Sequence, residues 1–278
     1  MTADMPKFDK TMERIACEID AINDEQEVYD HQGGRGIRNK NHAKHSLFGG
    51  YHRIRETAKY ISPVRPGKKI LNIGPGYGFL DIILKEDFAL DLTEMEIEEN
   101  IPAYCLLSKL HGIPIIPGEL SKKQCSIADS SFDIVIFSEV IEHLRISTLR
   151  ALLEIKRILK SGGRLLLTTP NMARLTTILR LLMGRNVVEE FPDDDSQLNH
   201  ITDKMTHICE YTMNELKSLM GRAGFEIAEA KYSLSHDKLG PGQVSNWKYK
   251  FARLLLLPPL KLVPSLRSPI FIVGQKTE

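Results

Sequence analysis

Cysteine is scarce and unpaired in this sequence. The four cysteines among 278 residues form no C-x-x-C pair, which excludes a disulfide framework or a zinc knuckle as the basis of the fold. The longest strongly apolar run, residues 254–257, leads into two prolines and is far too short to span a bilayer. The N-terminus lacks the basic and then apolar pattern of a secretory signal, so we expect a cytoplasmic protein with free thiols.

An excess of charge of one sign is also missing. Lys and Arg total 37 against 36 for Asp and Glu. No overall field therefore attracts nucleic acid, and the balance argues against a nucleic-acid partner. The length suffices for one large domain with appendages.

What the sequence does contain is a glycine-rich turn between an apolar run and an apolar helix pattern. Residues 69–73 are followed by Gly74, Gly76 and Gly78, and helical spacing of apolar residues begins at Phe79. Glycines permit a sharp turn and the close approach of a ligand, and a helix N-terminus offers unpaired N–H groups. The spacing is G-x-G-x-G and differs from the dinucleotide form G-x-G-x-x-G. It predicts a strand, a turn and a helix that bind a polar or anionic ligand.

A carboxylate at the end of the second strand is expected in a nucleoside-binding α/β unit, because it can accept both ribose hydroxyls. Asp91 and Glu96 are the candidates, 15 and 20 residues after Gly76. The usual spacing of about 20 residues favours Glu96. This choice leaves residues 98–111 as the next helix.

Strand and helix patterns alternate along the middle of the chain. Predicted strands cover 69–73, the segment ending at Glu96, 113–116, 131–137, 164–170, 225–232 and 270–273. Predicted helices cover 8–24, 51–61, 79–88, 98–111, 147–159 and 213–224. Residues 160–163 are predicted to close the helix before the fifth strand, and Thr212 with Glu215 forms a capping box. The alternation predicts a mostly parallel sheet with helices on both faces.

Taken together and in this order, the segments resemble a class I S-adenosylmethionine (SAM)-dependent methyltransferase of the bacterial small-molecule and glycan group. The resemblance covers residues 66–232, and its motifs lie at 70–78, 131–144, 159–165, 211–216 and 224–225. It implies an α/β, Rossmann-like, doubly wound sheet of seven mostly parallel strands, the last of them antiparallel. The expected organisation is an N-terminal helical cap at 1–65 and a methyltransferase domain at 66–278, with acceptor-side insertions at 171–206 and 233–268 after strands 5 and 6.

The resemblance also implies a site for SAM and for its product S-adenosylhomocysteine (SAH). In that site the methionine end lies over the glycine turn, Glu96 binds the ribose, and the residues at 119–120 contact the adenine. Asn72 stands where the family usually has Asp, so the position carries no formal charge and we expect somewhat weaker binding. The full predicted cofactor set is Asn72, Gly74, Pro75, Gly76, Gly78, Glu96, Glu119, Leu120, Ser138 and Glu139.

A cluster of acids and histidine directly follows the fourth predicted strand. His143 is the candidate catalytic residue, a general base, because an imidazole titrates near working pH. Residues 139–143 have the pattern E-x-x-E-H. Metal-dependent RNA 2′-O-methyltransferases and quinone O-methyltransferases carry a similar pattern, and His207 matches a later His of the RNA enzymes. Many metal-free relatives are similar in the same residues. We predict no metal, so chelation should have little effect, and metal dependence remains the alternative.

Three segments lie outside the motifs. Residues 31–50 are basic and rich in glycine and histidine, which suits either a solvated connector or a lid over an anionic acceptor. The acidic run 189–195 is typical of a solvated face. Residues 246–262 mix cations, aromatics and leucines, which suits packing against the sheet or against a second subunit in a homodimer, with peripheral membrane contact as the alternative.

The sequence therefore predicts a SAM-dependent methyltransferase that modifies an oxygen, in preference to a nitrogen, of a small-molecule or glycan acceptor. Two alternatives stay open. One is a metal-dependent RNA 2′-O- or quinone O-methyltransferase, and the other is a SAM-binding partner protein without catalysis.

Overall fold

The computed structural model describes residues 7–22, 40–120, 125–187, 207–233 and 258–277. Its strands form one sheet in the order β3-β2-β1-β4-β5-β7-β6. The strands are β1 Lys69–Ile73, β2 Asp91–Glu96, β3 Ile115–Pro117, β4 Phe132–Ser138, β5 Leu159–Thr169, β6 Phe225–Tyr232 and β7 Ile270–Lys276. Strands β1 to β5 pair in parallel, whereas β7 is antiparallel to both of its neighbours. The predicted fold class is confirmed.

Helices cover both faces of this sheet. They are α1 Phe8–Ala21, α2 Lys40–Gly49, α3 Tyr51–Ile61, α4 Phe79–Phe88, α5 Ile101–Tyr104, α6 Leu106–Leu110, α7 Thr148–Ile158, α8 Leu175–Leu182 and α9 Met213–Arg222. The predicted capping box is confirmed, since Thr212 and Glu215 bond reciprocally at the start of α9. No helix in the described ranges is long and apolar enough to cross a membrane.

Two hydrophobic clusters, one on each face, hold the sheet between the helices. Alternate residues of β1 divide between them, with Ile70 in the cluster that includes α1–α4 and Leu71 in the cluster that includes α7 and α9. This division follows from the period of two along a strand that is covered on both sides. Phe8 of α1 and Leu47 of α2 are fully buried in the first cluster. The N-terminal helices therefore share their core with the sheet.

The structure corrects the prediction that residues 31–50 form a loop. Residues 40–49 are helix α2, which buries Ala43 and Leu47 one helical turn apart against α1. Two apolar positions among cations and histidines gave too weak a pattern to indicate a helix. Residues 31–39, 189–195 and 246–257 lie outside the described residues, so the predictions made for them remain predictions.

Several predicted boundaries were also wrong, and three of them have a local explanation. The helix expected at 98–111 is a 3₁₀ turn followed by α5 and α6, because the backbone leaves the helical conformation at Cys105. Strand β3 begins only at Ile115. The preceding Pro114 accepts a hydrogen bond from the Glu94 N–H through its carbonyl but has no N–H of its own to donate. Strand β5 begins at Leu159, directly after α7, so residues 160–163 belong to the strand.

Candidate active site

The glycine turn joins β1 to α4 at the carboxyl edge of the sheet. Gly74, Gly76 and Gly78 have φ angles of +66°, +59° and +72°, a region that L side chains rarely adopt. A Cβ on Gly78 would lie 2.0 Å from the Ser108 Oγ, whereas a Cβ on Gly76 would have nothing within 4 Å. Gly78 is thus needed for packing, and Gly76 faces open space on the side where a ligand can approach.

Glu96 ends β2 beside this turn. Its Oε1 accepts hydrogen bonds from the Ile97 backbone N–H at 2.9 Å and from Asn100 Nδ2 at 3.2 Å. Burial raises the pKa of the Glu96 carboxyl, against the effect of these two donors. Asp91, the alternative, is exposed at the amino end of the same strand, which is the opposite edge of the sheet. Glu96 therefore lies on the same edge as the glycine turn, and Asp91 does not.

The residues predicted to contact adenine follow β3. Gly118 donates its backbone N–H to the Glu96 carbonyl oxygen at 3.0 Å. This bond brings Glu119 and the buried Leu120 next to the end of β2.

Ser138 ends β4 at the same edge, and Glu139 follows it. Glu139 has a φ of +57°, a strained conformation for a residue with a side chain. Thr168 of β5 holds it there, because the Thr168 carbonyl accepts from the Glu139 N–H at 2.9 Å and the Thr168 hydroxyl donates to Glu139 Oε1 at 2.9 Å. The hydroxyls of Ser138 and Thr168 are 2.7 Å apart.

The N-terminal helices contribute two residues that sequence reasoning missed. Arg53 of α3 donates through Nη1 to the Ser138 Oγ at 3.0 Å. His42 Nδ1 of α2 lies 2.9 Å from the hydroxyl of Tyr77, which belongs to the glycine turn. The apolar spacing of α3 could predict its buried face, but no sequence signal paired these helices with particular loops.

His143, the predicted base, lies against a second histidine. The rings of His143 and His207 are 4.9 Å apart at an angle of 71°. Glu142 Oε1 is 4.0 Å from His143 Nε2, is buried and has no hydrogen-bond partner among the described residues. Burial and the nearby Glu139 carboxyl raise the pKa of Glu142 well above its ordinary value. One ligand atom from each of Glu142, His143 and His207 lies within 4.8 Å of the others.

His207 is oriented by a carboxylate. Its Nδ1 lies 2.8 Å from Glu210 Oε1, and Arg174 pairs with the second oxygen of Glu210. Burial alone would raise the pKa of Glu210, but the partners His207 and Arg174 outweigh burial and lower it. A carboxylate on one ring nitrogen leaves the other nitrogen as an acceptor, for a proton or for a metal ion. The prediction that no metal binds stays a prediction.

Asn72 bonds to a carboxyl group of helix α4. It is buried under the glycine turn, and its Nδ2 donates to Asp81 Oδ2 at 2.7 Å. The amide nitrogen is therefore engaged with a carboxyl group on α4, and the assignment of Asn72 to the cofactor site stays a prediction.

Known proteins are similar to this chain at the level of both sequence and fold. A family model described as a methyltransferase domain matches residues 43–230. The mitochondrial ubiquinone biosynthesis O-methyltransferase of Rattus norvegicus is 27% identical over 62% of this chain and 49% of its own length. Its Homo sapiens counterpart is 30% identical over 48% of this chain and 38% of its own length. The chain thus spans half or less of the length of these relatives.

The fold is shared with solved methyltransferase structures. A possible histamine N-methyltransferase from Thermotoga maritima superimposes with a TM-score of 0.55 and 18% identity, over 86% of this chain and 97% of that one. At this identity the likeness concerns the fold alone.

Proposed function

The chain belongs to the methyltransferase domain family, and on this premise we propose that it transfers the methyl group of SAM to a hydroxyl oxygen of a small-molecule or glycan acceptor. When bound, SAM supplies a methyl group activated by its sulfonium. The residues at the carboxyl edge suit such a ligand. The turn has an open side at Gly76, Glu96 presents a carboxyl to the ribose, and the Arg53 guanidinium is suited to the methionine carboxylate.

The observation that carries the choice of oxygen is that Glu142 and His143, which follow β4, meet His207. A hydroxyl must lose its proton during methyl transfer, whereas a neutral amine attacks through its lone pair. An imidazole beside the acceptor can take that proton, so His143 is assigned the role of general base. The relatives named ubiquinone biosynthesis O-methyltransferases also modify oxygen.

Methyl transfer from tritiated SAM to a panel of acceptors tests this proposal. The panel contains 3,4-dihydroxybenzoate and methyl glucoside as hydroxyl acceptors, and histamine and phosphoethanolamine as amines. We expect labelled O-methyl products with the hydroxyl acceptors. Labelling of the amines alone would contradict the proposal, and SAM binding with no transfer to any acceptor, natural extracts included, would favour a non-catalytic partner protein.

A metal-dependent O-methyltransferase is the second candidate, and the same three side chains favour it. Two imidazoles and a carboxylate suit a divalent transition metal, and the Glu210 carboxylate on the far nitrogen of His207 is a usual support for a metal-bound histidine. Calorimetric titration with Mn²⁺ of the wild type and of His207→Ala distinguishes the candidates. The metal-dependent candidate is favoured if the wild type binds Mn²⁺ at micromolar concentration, the variant does not, and methyl transfer is abolished by chelator and restored by Mn²⁺. A quinol and an RNA oligonucleotide would then be added to the acceptor panel.

A further inference from the structure

A cluster of four polar side chains lies buried beneath the glycine turn. Asn72 donates to Asp81 at 2.7 Å, and the Ser108 Oγ donates to Glu94 Oε1 at 2.8 Å. Asn72 and Glu94 are register partners on β1 and β2, and Asp81 lies in the first turn of α4. A Cβ on Gly78 would lie 2.8 Å from Glu94 Oε1. The cluster thus contacts the backbone of the turn directly.

In the two carboxyl groups of the cluster, the protonation of one depends on the charge of the other. Asp81 and Glu94 are both 0% exposed, and Asp81 Oδ1 and Glu94 Oε2 have no donor among the described residues. Burial is the main cause that raises the pKa of both groups, and the Asp81 charge adds to the effect on Glu94. Two adjacent buried carboxylates cannot both stay ionised without a large cost, which favours one shared proton on the pair.

We propose that the Asp81–Glu94 pair is the counter-charge of the SAM sulfonium, releasing its shared proton when SAM binds over the turn and retaining it when SAH binds. This inference depends on the proposed use of SAM. SAM carries one positive charge more than SAH, and a positive charge near the pair favours its ionised form. The proton passes to solvent on SAM binding and returns from solvent once methyl transfer has left a neutral thioether.

The proposal also accounts for the amide at position 72. The charge that the family usually carries there is supplied from α4 instead, since the Asn72 amide bonds to Asp81. Asp81 thereby becomes a residue that favours the charged substrate over the uncharged product.

Among the described residues, the other titratable groups beside the pair do not provide the positive charge. Glu96 on β2 is acidic, and Cys105, between α5 and α6, is a thiol whose pKa is raised by burial and then by Glu94. The charge of Lys109 on α6 lowers the pKa of the Cys105 thiol, against the effect of burial. Proton exchange at Glu96 accompanies ribose binding, and so it is common to SAM and SAH and cancels when the two ligands are compared.

Calorimetry of the full chain in phosphate and in Tris tests the proposal, because these buffers differ in ionisation enthalpy. The dependence of the binding heat on the buffer gives the number of protons exchanged. We expect SAM to release several tenths of a proton more than SAH near neutral pH. By linkage, the affinity for SAM relative to SAH should then rise about 3- to 10-fold between about pH 6.5 and about pH 8.5.

The variant Asp81→Asn keeps the size of the side chain and an oxygen that can accept from Asn72. This variant should abolish the difference in proton release between SAM and SAH, and Glu94→Gln should do the same. Asp91→Asn, exposed at the amino end of β2, is the matched control and should retain the difference. An unchanged difference in either folded cluster variant, or its absence in the wild type, would overturn the proposal. No binding of SAM or SAH to folded wild type would instead refute the proposed function.

Discussion

Replacing Glu96 by Ala should weaken SAM binding more than any change at Asp91. Glu96 is 7% exposed at the carboxyl end of β2, and both of its observed hydrogen bonds end at Oε1. We therefore assign Oε2 to the ribose hydroxyls. A hydrogen bond to a charged group contributes about 1.5–3 kcal/mol net. The dissociation constant should then rise about 10- to 150-fold in Glu96→Ala.

Isothermal calorimetry with SAM and SAH measures this change, and a urea unfolding curve checks that the variant is folded. Asp91→Ala removes an equal charge at the opposite edge of the sheet and should change the affinity less than about twofold, since it touches no ligand. Because burial raises the pKa of Glu96, acidification should weaken binding as the pH falls through that raised pKa. With SAH as the ligand, Glu96→Gln should not show this acid limb. Equal losses in Glu96→Ala and Asp91→Ala would refute the assignment of the ribose carboxylate.

Four further variants test the geometry. Gly78→Ala should unfold the protein or abolish SAM binding, because its Cβ would lie 2.0 Å from the Ser108 Oγ. Gly76→Ala should lower the free energy of unfolding in urea by only about 1–2 kcal/mol. It should nevertheless weaken SAM binding, because its Cβ enters the open side of the turn. His143→Gln should lower kcat for O-methylation at least about 100-fold at unchanged SAM affinity, and normal turnover would exclude the base role. Leu47→Ala should destabilise the protein by about 2–5 kcal/mol in urea unfolding, and a neutral effect would show that α2 is not part of the core.

The sequence was sufficient for features that depend on local chemistry. The strand, turn and helix around residues 69–88 and the capping box at Thr212 each follow from a short run of residues. The spacing between Gly76 and Glu96 follows in the same way, since a helix and two strand ends fix that length. Helix α2 was missed because only Ala43 and Leu47 mark its buried face.

Features that depend on pairing between distant elements could not be predicted. Asp81 and Glu94 meet only because β1 and β2 pair in one register and α4 packs over them. Arg53 reaches Ser138 across 85 positions of sequence, and His207 meets His143 only because the chain before α9 returns to the end of β4. Neither periodicity nor composition encodes such contacts, because both report on one element at a time.

The position of β7 between β5 and β6 imposes an order on folding during synthesis. Every observed pairing of β6 is with β7, which lies roughly 40 residues later in the chain. At about 5–20 residues per second, the ribosome needs about 2–8 s to make that interval. During that time the nascent chain has an unpaired edge on β5 and an unpaired β6, both open to association with other chains. A chaperone that shields nascent strands should therefore act on this protein late in its synthesis.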